Sequence, residues 1–261
     1  MKKQFNIALA QLDLLFGDPE GNFLKADAAV GKAANDGADL VLLPELWACG
    51  YDLDHADTYA SSLQQGWFHH MQNMAGAHGI ALGGSMIEQD QGKNYNTFAL
   101  FDQGGSLLGS YRKIHLFQLL NEKKYLHAGS KLVLVDAPWG KTGLAVCYDL
   151  RFPEMFRAYA ASGAEVILLV AEWPQRRINH WNILIQARAI ENQLFIAAVN
   201  KVGTNQGIKL GGQSAVINPM GEILVQGGEE EELLLGEINL EDVNKVRRWM
   251  PVLSDRQPDL Y

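Results

Sequence analysis

The sequence predicts a mixed α/β fold, and three observations carry that prediction. Short apolar runs of strand length alternate with helical patterns from the start of the chain. Neighbouring runs are joined by tight turns, Asp102-Gln103-Gly104-Gly105 and Asn218-Pro219-Met220-Gly221, which mark antiparallel hairpins in place of helical crossovers. No glycine cluster matches a dinucleotide or phosphate-loop fingerprint, because Gly83-Gly84 and Gly211-Gly212 lack the spacing and the lysine. Strands outnumber helices, so the expectation is a mixed sheet system, unlike a purely parallel doubly wound one, with no nucleotide cofactor.

Residues 7–12 open the chain as a strand. The two lysines before them do not make a secretory leader, since Asn6, Gln11 and Asp13 interrupt the apolar run. A helix follows over 19–35, started by Pro19, and 40–43 is apolar throughout, which completes a β-α-β opening. Further strands are expected over 80–86, 97–101, 107–112, 132–135 and 142–146. Pro153-Glu154 then opens an amphipathic helix over 155–161, and strands resume at 166–170, 195–199, 214–217, 222–225 and 233–238. The acidic run Glu229 to Glu232 between two strands reads as a solvated loop. No repeat, low-complexity tract or Pro/Ser-rich linker divides the chain, so one domain is expected over residues 1–261.

With 48% hydrophobic residues over 261 positions, the chain can bury a substantial core. Asp and Glu (30) outnumber Lys and Arg (22), giving a net charge of -8, which argues against nucleic acid or an acidic membrane as partner and for a small molecule. No apolar run approaches the roughly 20 residues that span a bilayer, so a soluble protein is expected. Only Cys49 and Cys147 occur, without a CxxC pair or ligand-spaced histidines. Neither a disulfide framework nor a metal site is indicated, and reduced cytoplasmic thiols follow.

Three strand ends carry reactive groups. Cys147 ends the apolar run Gly143-Leu144-Ala145-Val146 and precedes Tyr148-Asp149-Leu150-Arg151-Phe152-Pro153-Glu154, a strand-to-helix bend that presents a side chain to a pocket. Taken alone it reads equally as a small buried hydrophobe or as a nucleophile. Glu45 follows Leu40-Val41-Leu42-Leu43-Pro44, at the kind of strand edge where α/β folds hold their sites; a surface or capping carboxylate is the alternative. Lys113 ends Gly109-Ser110-Tyr111-Arg112, with a solvated lysine as its alternative. A carboxylate, an amine and a thiol on three strand ends form a coherent nucleophilic site.

These segments, Leu-Pro-Glu45-Leu-Trp, Tyr-Arg-Lys113-Ile-His-Leu-Phe and Cys147-Tyr-Asp-Leu-Arg-Phe-Pro-Glu, resemble in order and context the three signatures of the nitrilase superfamily of carbon-nitrogen hydrolases. The resemblance runs on through Ala189-Ile190-Glu191-Asn192-Gln193, Gly212-Gln213-Ser214 and the terminal Arg256-Gln257-Pro258-Asp259-Leu260-Tyr261. It implies a four-layer α-β-β-α sandwich, two sheets face to face with helices on both outer sides, and a Glu-Lys-Cys triad of Glu45, Lys113 and Cys147. Glu45 would take the thiol proton, and Lys113 with the backbone N–H of Tyr148 would stabilise the oxyanion. Glu122 resembles the additional glutamate that many members hold beside the lysine, although Lys123 and Lys124 next to it also suit a solvated turn. Cys49 reads as a packed thiol.

Within the superfamily the chain is similar to the ω-amidase-like branch, including bacterial members linked to methionine salvage. That implies a terminal amide of a small 2-oxo acid as substrate, such as 2-oxoglutaramate or 2-oxo-4-methylthiobutyramide, with no metal and no cofactor. Such a substrate carries a carboxylate at its far end, which a guanidinium fork suits. Arg176 and Arg177 are candidates, with surface charges as the alternative. Trp173 would form an apolar wall, and Tyr125 and Phe117 are further pocket candidates. An N-carbamoyl amino acid hydrolase, a nitrilase or an aliphatic amidase would use the same triad, and a catalytically silent scaffold would share the fold. The resemblance also implies a homodimer or higher homo-oligomer.

Overall fold

In the computed structural model, which describes residues 3–260, strand β1 (Gln4–Gln11) sorts its side chains into two layers. Phe5, Ile7 and Leu9 face a central core while Ala8 and Ala10 face an outer one, the period-2 alternation of a strand buried on both faces. Helix α1 (Pro19–Asn35) covers the outer side. It starts where the Asp18 carboxylate accepts the Gly21 N–H at 3.0 Å and Pro19 occupies the first turn. Strand β2 (Leu40–Leu42) pairs parallel with β1, as the β-α-β reading expects.

After the single turn α2 (Ala56–Tyr59), helix α3 (Gly66–His78) packs Phe68, Met71 and Met74 beside α1. Strands β3 (Ala81–Asp90), β4 (Lys93–Phe101) and β5 (Leu107–Arg112) follow, the last two joined at the expected 102–105 turn. A second single turn, α4 (Glu122–Tyr125), leads to β6 (Leu134–Ala137), which begins two residues later than the apolar pattern suggests, and to β7 (Gly140–Val146). Helix α5 (Pro153–Ala161), β8 (Val166–Ala171), α6 (Ile178–Asn192) and β9 (Phe195–Asn200) complete a parallel β7-β8-β9 unit. A small hairpin, β10 (Thr204–Asn205) and β11 (Ile208–Lys209), precedes the hairpin β12 (Ala215–Ile217) and β13 (Ile223–Gln226) across the 218–221 turn. Strand β14 (Glu232–Asn239) returns to pair antiparallel with β1, and helix α7 (Glu241–Trp249) follows.

Two six-stranded sheets result among the described residues, in the orders β14-β1-β2-β3-β4-β5 and β13-β12-β9-β8-β7-β6. Their facing sides share one core, in which Leu42, Phe98 and Tyr111 of the first sheet join Leu144, Leu168 and Ala197 of the second. Helices α1 and α3 cover one outer face; α5 and α6, through Phe156, Trp181 and Ile185, cover the other. The fold is therefore the expected α-β-β-α sandwich. Helices α3, α6 and α7 lie outside the sequence expectation. Helix α6 scatters apolar and polar residues around its circumference and α3 has no side-chain cap, so neither shows a clean stripe and start signal. The 229–232 run is solvated as expected for its first residues, but Glu232 already belongs to β14. Met1, Lys2 and Tyr261, the last residue of the terminal motif, lie outside the described residues. Among those described, no helix is long and apolar enough to cross a membrane.

Candidate active site

Strand ends of the two sheets meet at one edge of the sandwich. From the first sheet come Glu45, three residues past β2, and Lys113, one residue past β5. The second sheet contributes Cys147, Glu172 and Lys201, each the first residue after the adjacent parallel strands β7, β8 and β9, whose ends lie within one residue of each other in register. Strand-end residues of parallel units share an edge, so the topology brings a thiol, two carboxylates and two amines together.

Glu45, Lys113 and Glu122 are fully buried. The Lys113 Nζ donates to Glu45 Oε1 at 2.8 Å and to Glu122 Oε1 at 2.7 Å. Burial by itself would lower the ammonium's pKa, but the two carboxylates hold it well above the lysine range, so Lys113 is charged. Asn96 of β4 ties the pair together: its Nδ2 donates to Glu45 Oε1 at 2.8 Å, and its carbonyl accepts the Lys113 N–H at 2.8 Å. Glu45 Oε2 accepts the Glu172 backbone N–H at 3.0 Å. Glu122 Oε2 accepts the Phe117 N–H at 2.6 Å, and the Tyr51 hydroxyl donates to its other oxygen. The solvated-turn alternative for Glu122 therefore fails. In the one turn of α4, Lys123 and Lys124 point outward while Glu122 points in. Beside Lys113 the chain passes so closely that a Cβ at Gly129 would lie 2.1 Å from the Arg112 carbonyl oxygen, which only glycine permits.

Cys147 sits at the bend with φ +44°, a left-handed conformation that costs a non-glycine residue about 1–2 kcal/mol. A 3-10 turn, Cys147–Arg151, starts there, so the Tyr148 N–H lies in the first turn, where N–H groups have no intrahelical acceptor. Burial first, then the charge of the neighbouring Glu45 carboxylate, push the Cys147 thiol's pKa well above the usual range. Glu45 is likewise raised, by burial first, against the pull of Lys113. The resting pair is thus a neutral thiol beside a carboxylate of raised basicity.

Cys147 opens onto a cavity of about 280 Å³ lined by all five candidates for substrate contact, Phe117, Tyr125, Trp173, Arg176 and Arg177, and by Tyr148. Arg177 is half-buried, with its guanidinium 5.3 Å from the Phe117 ring centroid, and Arg176 is exposed. The buried Trp173 donates its Nε1–H to the Arg177 carbonyl at 2.9 Å, which fixes the arginine's backbone. Tyr125 stands at the rim, its hydroxyl donating to Asp54. Cys49 is a packed thiol, lifted by burial to about 12.

Sequence reasoning misses four polar residues here. Glu172 lines the cavity, accepts from Asn205 Nδ2 at 2.6 Å, stands 3.6 Å from the buried Lys201 ammonium, and is raised by burial to about 7. Its signal was available, since it ends an apolar strand as Cys147 does. Asn96, a polar residue inside a buried strand, and Asp149, buried behind Cys147, carry the same kind of signal. Tyr51 shows none.

The chain matches the carbon-nitrogen hydrolase family over residues 6–248. It is 39% identical over 261 residues to the 2-oxoglutaramate amidase of Bacillus subtilis (strain 168), covering 99% of this chain and 100% of that protein. Its identity to the omega-amidase NIT2 of Mus musculus is 33% over 267 residues, across 98% and 96% of the two chains. Among solved structures, the CN-hydrolase superfamily protein XC1258 of Xanthomonas campestris superposes with a TM-score of 0.91 at 30% identity, over 97% of each chain. End-to-end likeness in sequence and fold leads to one assignment: the chain belongs to the carbon-nitrogen hydrolase family of the nitrilase superfamily, in its ω-amidase branch.

Proposed function

We propose that the protein hydrolyses the terminal amide of a small 2-oxo acid, of the 2-oxoglutaramate or 2-oxo-4-methylthiobutyramide type, to carboxylate and ammonia through a thioester on Cys147. The observation that carries this reading is a buried ammonium, Lys113, clamped by two carboxylates beside a cavity-lining thiol. Because the thiol is neutral at rest, deprotonation accompanies attack: Glu45 takes the proton as sulfur adds to the amide carbon. The developing oxyanion is met by the Lys113 ammonium and the Tyr148 N–H, and removing one such donor costs about 2.7–4 kcal/mol of barrier. Glu45 then gives its proton to the departing ammonia. In the second half it activates water, which hydrolyses the thioester and releases the acid. Glu122 holds Lys113 charged and aimed throughout.

The substrate class rests on the relatives named for 2-oxoglutaramate and ω-amide hydrolysis and on a cationic rim suited to a carboxylate tail. Arg177 is the better clamp of the two arginines: it is half-buried and braced by Trp173, and charge-assisted bonds gain strength where water is excluded. Ammonia release assayed on 2-oxo acid amides, N-carbamoyl amino acids, nitriles and simple aliphatic amides tests the proposal. The first class should be turned over best; no activity on it, with activity on another, would sink the substrate assignment.

The whole chain acts as one domain, and self-association accompanies the activity in this reading. Ile183 and Ile190, seven residues apart on one face of α6, are 65% and 50% exposed; Ile190 lies against Gly221, and Met220 and Ile223 on either side of that glycine are exposed as well. Covering such a patch favours a dimer or larger homo-oligomer. Light scattering should give at least twice the mass of one chain.

A further inference from the structure

We infer that Asp149 is a positioning residue that sets the separation between Cys147 and Lys113, and through it the oxyanion site. Asp149 is fully buried and accepts from both sides of that site. On the cysteine side, Oδ2 accepts the Val146 N–H at 2.9 Å, immediately before the bend. On the lysine side, Oδ2 accepts the Tyr111 hydroxyl at 2.8 Å, and Oδ1 accepts the His115 N–H at 3.2 Å and the His115 Nδ1–H at 2.7 Å. Lys113 is thus bracketed, two residues before and two after, by groups fastened to one carboxylate, itself two residues past Cys147. The Tyr111 oxygen also accepts the Ile114 N–H at 3.1 Å, closing the loop around the lysine. His115 stacks on Phe152 with ring centroids 3.6 Å apart, which keeps its imidazole aimed at Asp149.

Chemistry explains why a carboxylate occupies this point. An ionised carboxyl is acceptor-only, and each oxygen here serves two donors. An amide of the same shape offers one oxygen, so whichever way it turns its NH₂ group faces two donors. The strained φ of Cys147 persists only where its surroundings over-determine it, and the Val146 bond to Asp149 is part of that surrounding. Asp149 touches neither the thiol nor the ammonium, so its effect runs through their spacing.

The inference rests on the proposed roles of Cys147 and Lys113, and the test separates the two. Amide turnover needs the thiol, its base Glu45 and the oxyanion site, whereas alkylation of Cys147 by iodoacetamide, a displacement at an sp³ carbon, needs the thiol and Glu45 but no oxyanion site. In Asp149→Asn, kcat should fall about 100-fold, the scale of a misplacement near 1 Å, with KM changed little and the alkylation rate within a few-fold of wild type. Tyr111→Phe, which removes the hydroxyl's bonds with Asp149 and with the Ile114 N–H and keeps the carboxylate, should lose about tenfold in kcat with the same split, and serves if Asp149→Asn does not fold. Turnover and alkylation falling in parallel in both variants, or turnover unchanged in folded protein, would overturn the inference. Turnover surviving in Cys147→Ala would overturn the underlying reading.

Discussion

Glu122→Gln is the substitution that most sharply separates a working site from a decorated surface. The carboxylate stands 2.7 Å from the Lys113 ammonium with both side chains fully buried. At an effective dielectric of about 20, that contact corresponds to about 6 kcal/mol of Coulomb energy, partly offset by desolvation. The amide removes the charge and offers a single acceptor oxygen, so its NH₂ group faces either the Phe117 N–H or the Lys113 ammonium and the Tyr51 hydroxyl. Glu45 still pairs with Lys113, so the loss in stability should lie at the lower end for a broken buried pair, about 3 kcal/mol. For a chain of this size that lowers Tm by roughly 6–12 °C. Activity should fall further than stability alone explains, because Lys113 then turns toward Glu45 and away from the oxyanion; a loss of about 100-fold in kcat is expected. Differential scanning fluorimetry and ammonia release from 2-oxoglutaramate measure the two effects. A Tm within about 1 °C of wild type with kcat unchanged, the behaviour of an ordinary surface residue, would refute the reasoning.

Other perturbations have equally definite outcomes. Arg177→Ala should lower kcat/KM for 2-oxoglutaramate by about 10- to 100-fold, from the loss of a charge-assisted bond of about 1.5–3 kcal/mol, and leave propionamide hydrolysis nearly unchanged. Arg176→Ala should change either substrate by less than about threefold, and a reversed pattern would assign the clamp to Arg176. Glu172 titrates at about 7 in the folded chain against an ordinary 4.5. A folded-state pKa above the unfolded one stabilises fully below pH 4.5, and that stability is lost as pH rises through 7, by up to about 3 kcal/mol. Melting curves from pH 5 to 8 should therefore show wild type losing stability relative to Glu172→Gln as pH rises, and parallel curves would exclude a buried titration at that position. Ile190→Glu should shift the species seen by light scattering toward the monomer without loss of fold, whereas an unchanged mass would remove the α6 face from the assembly.

Much of the sandwich was legible because strands buried on both faces are short and apolar with abrupt ends. The run 40–43 gives way through Pro44 to Glu45, and the run 142–146 stops at Cys147, both of which the fold brings to the candidate site. Helix α6 was not legible: packed against the second sheet and α5, it scatters apolar and polar residues around its circumference, so no period stands out. The three candidate residues Glu45, Lys113 and Cys147 could be read because each follows the end of its own strand in a distinctive local context. Its supporting residues could not be read the same way, since their meaning is long-range. Asn96 matters because β4 lies between Glu45 and Lys113, Tyr51 because its loop folds onto Glu122, and Asp149 because two chain segments far apart in sequence converge on one carboxylate. Glu122 shows the limit from the other side: in sequence it is one charge among three, and only the single turn of α4 separates it from its lysine neighbours.

The central claim, that Cys147 forms a thioester with the acyl part of an amide while Glu45 manages the proton, is tested most directly by rapid-quench mass spectrometry of the intact protein during turnover of 2-oxoglutaramate. The account predicts a transient adduct equal to the substrate less ammonia, mapped to the peptide bearing Cys147 and absent in Cys147→Ala. An adduct on another residue, or steady ammonia release by Cys147→Ala, would contradict it.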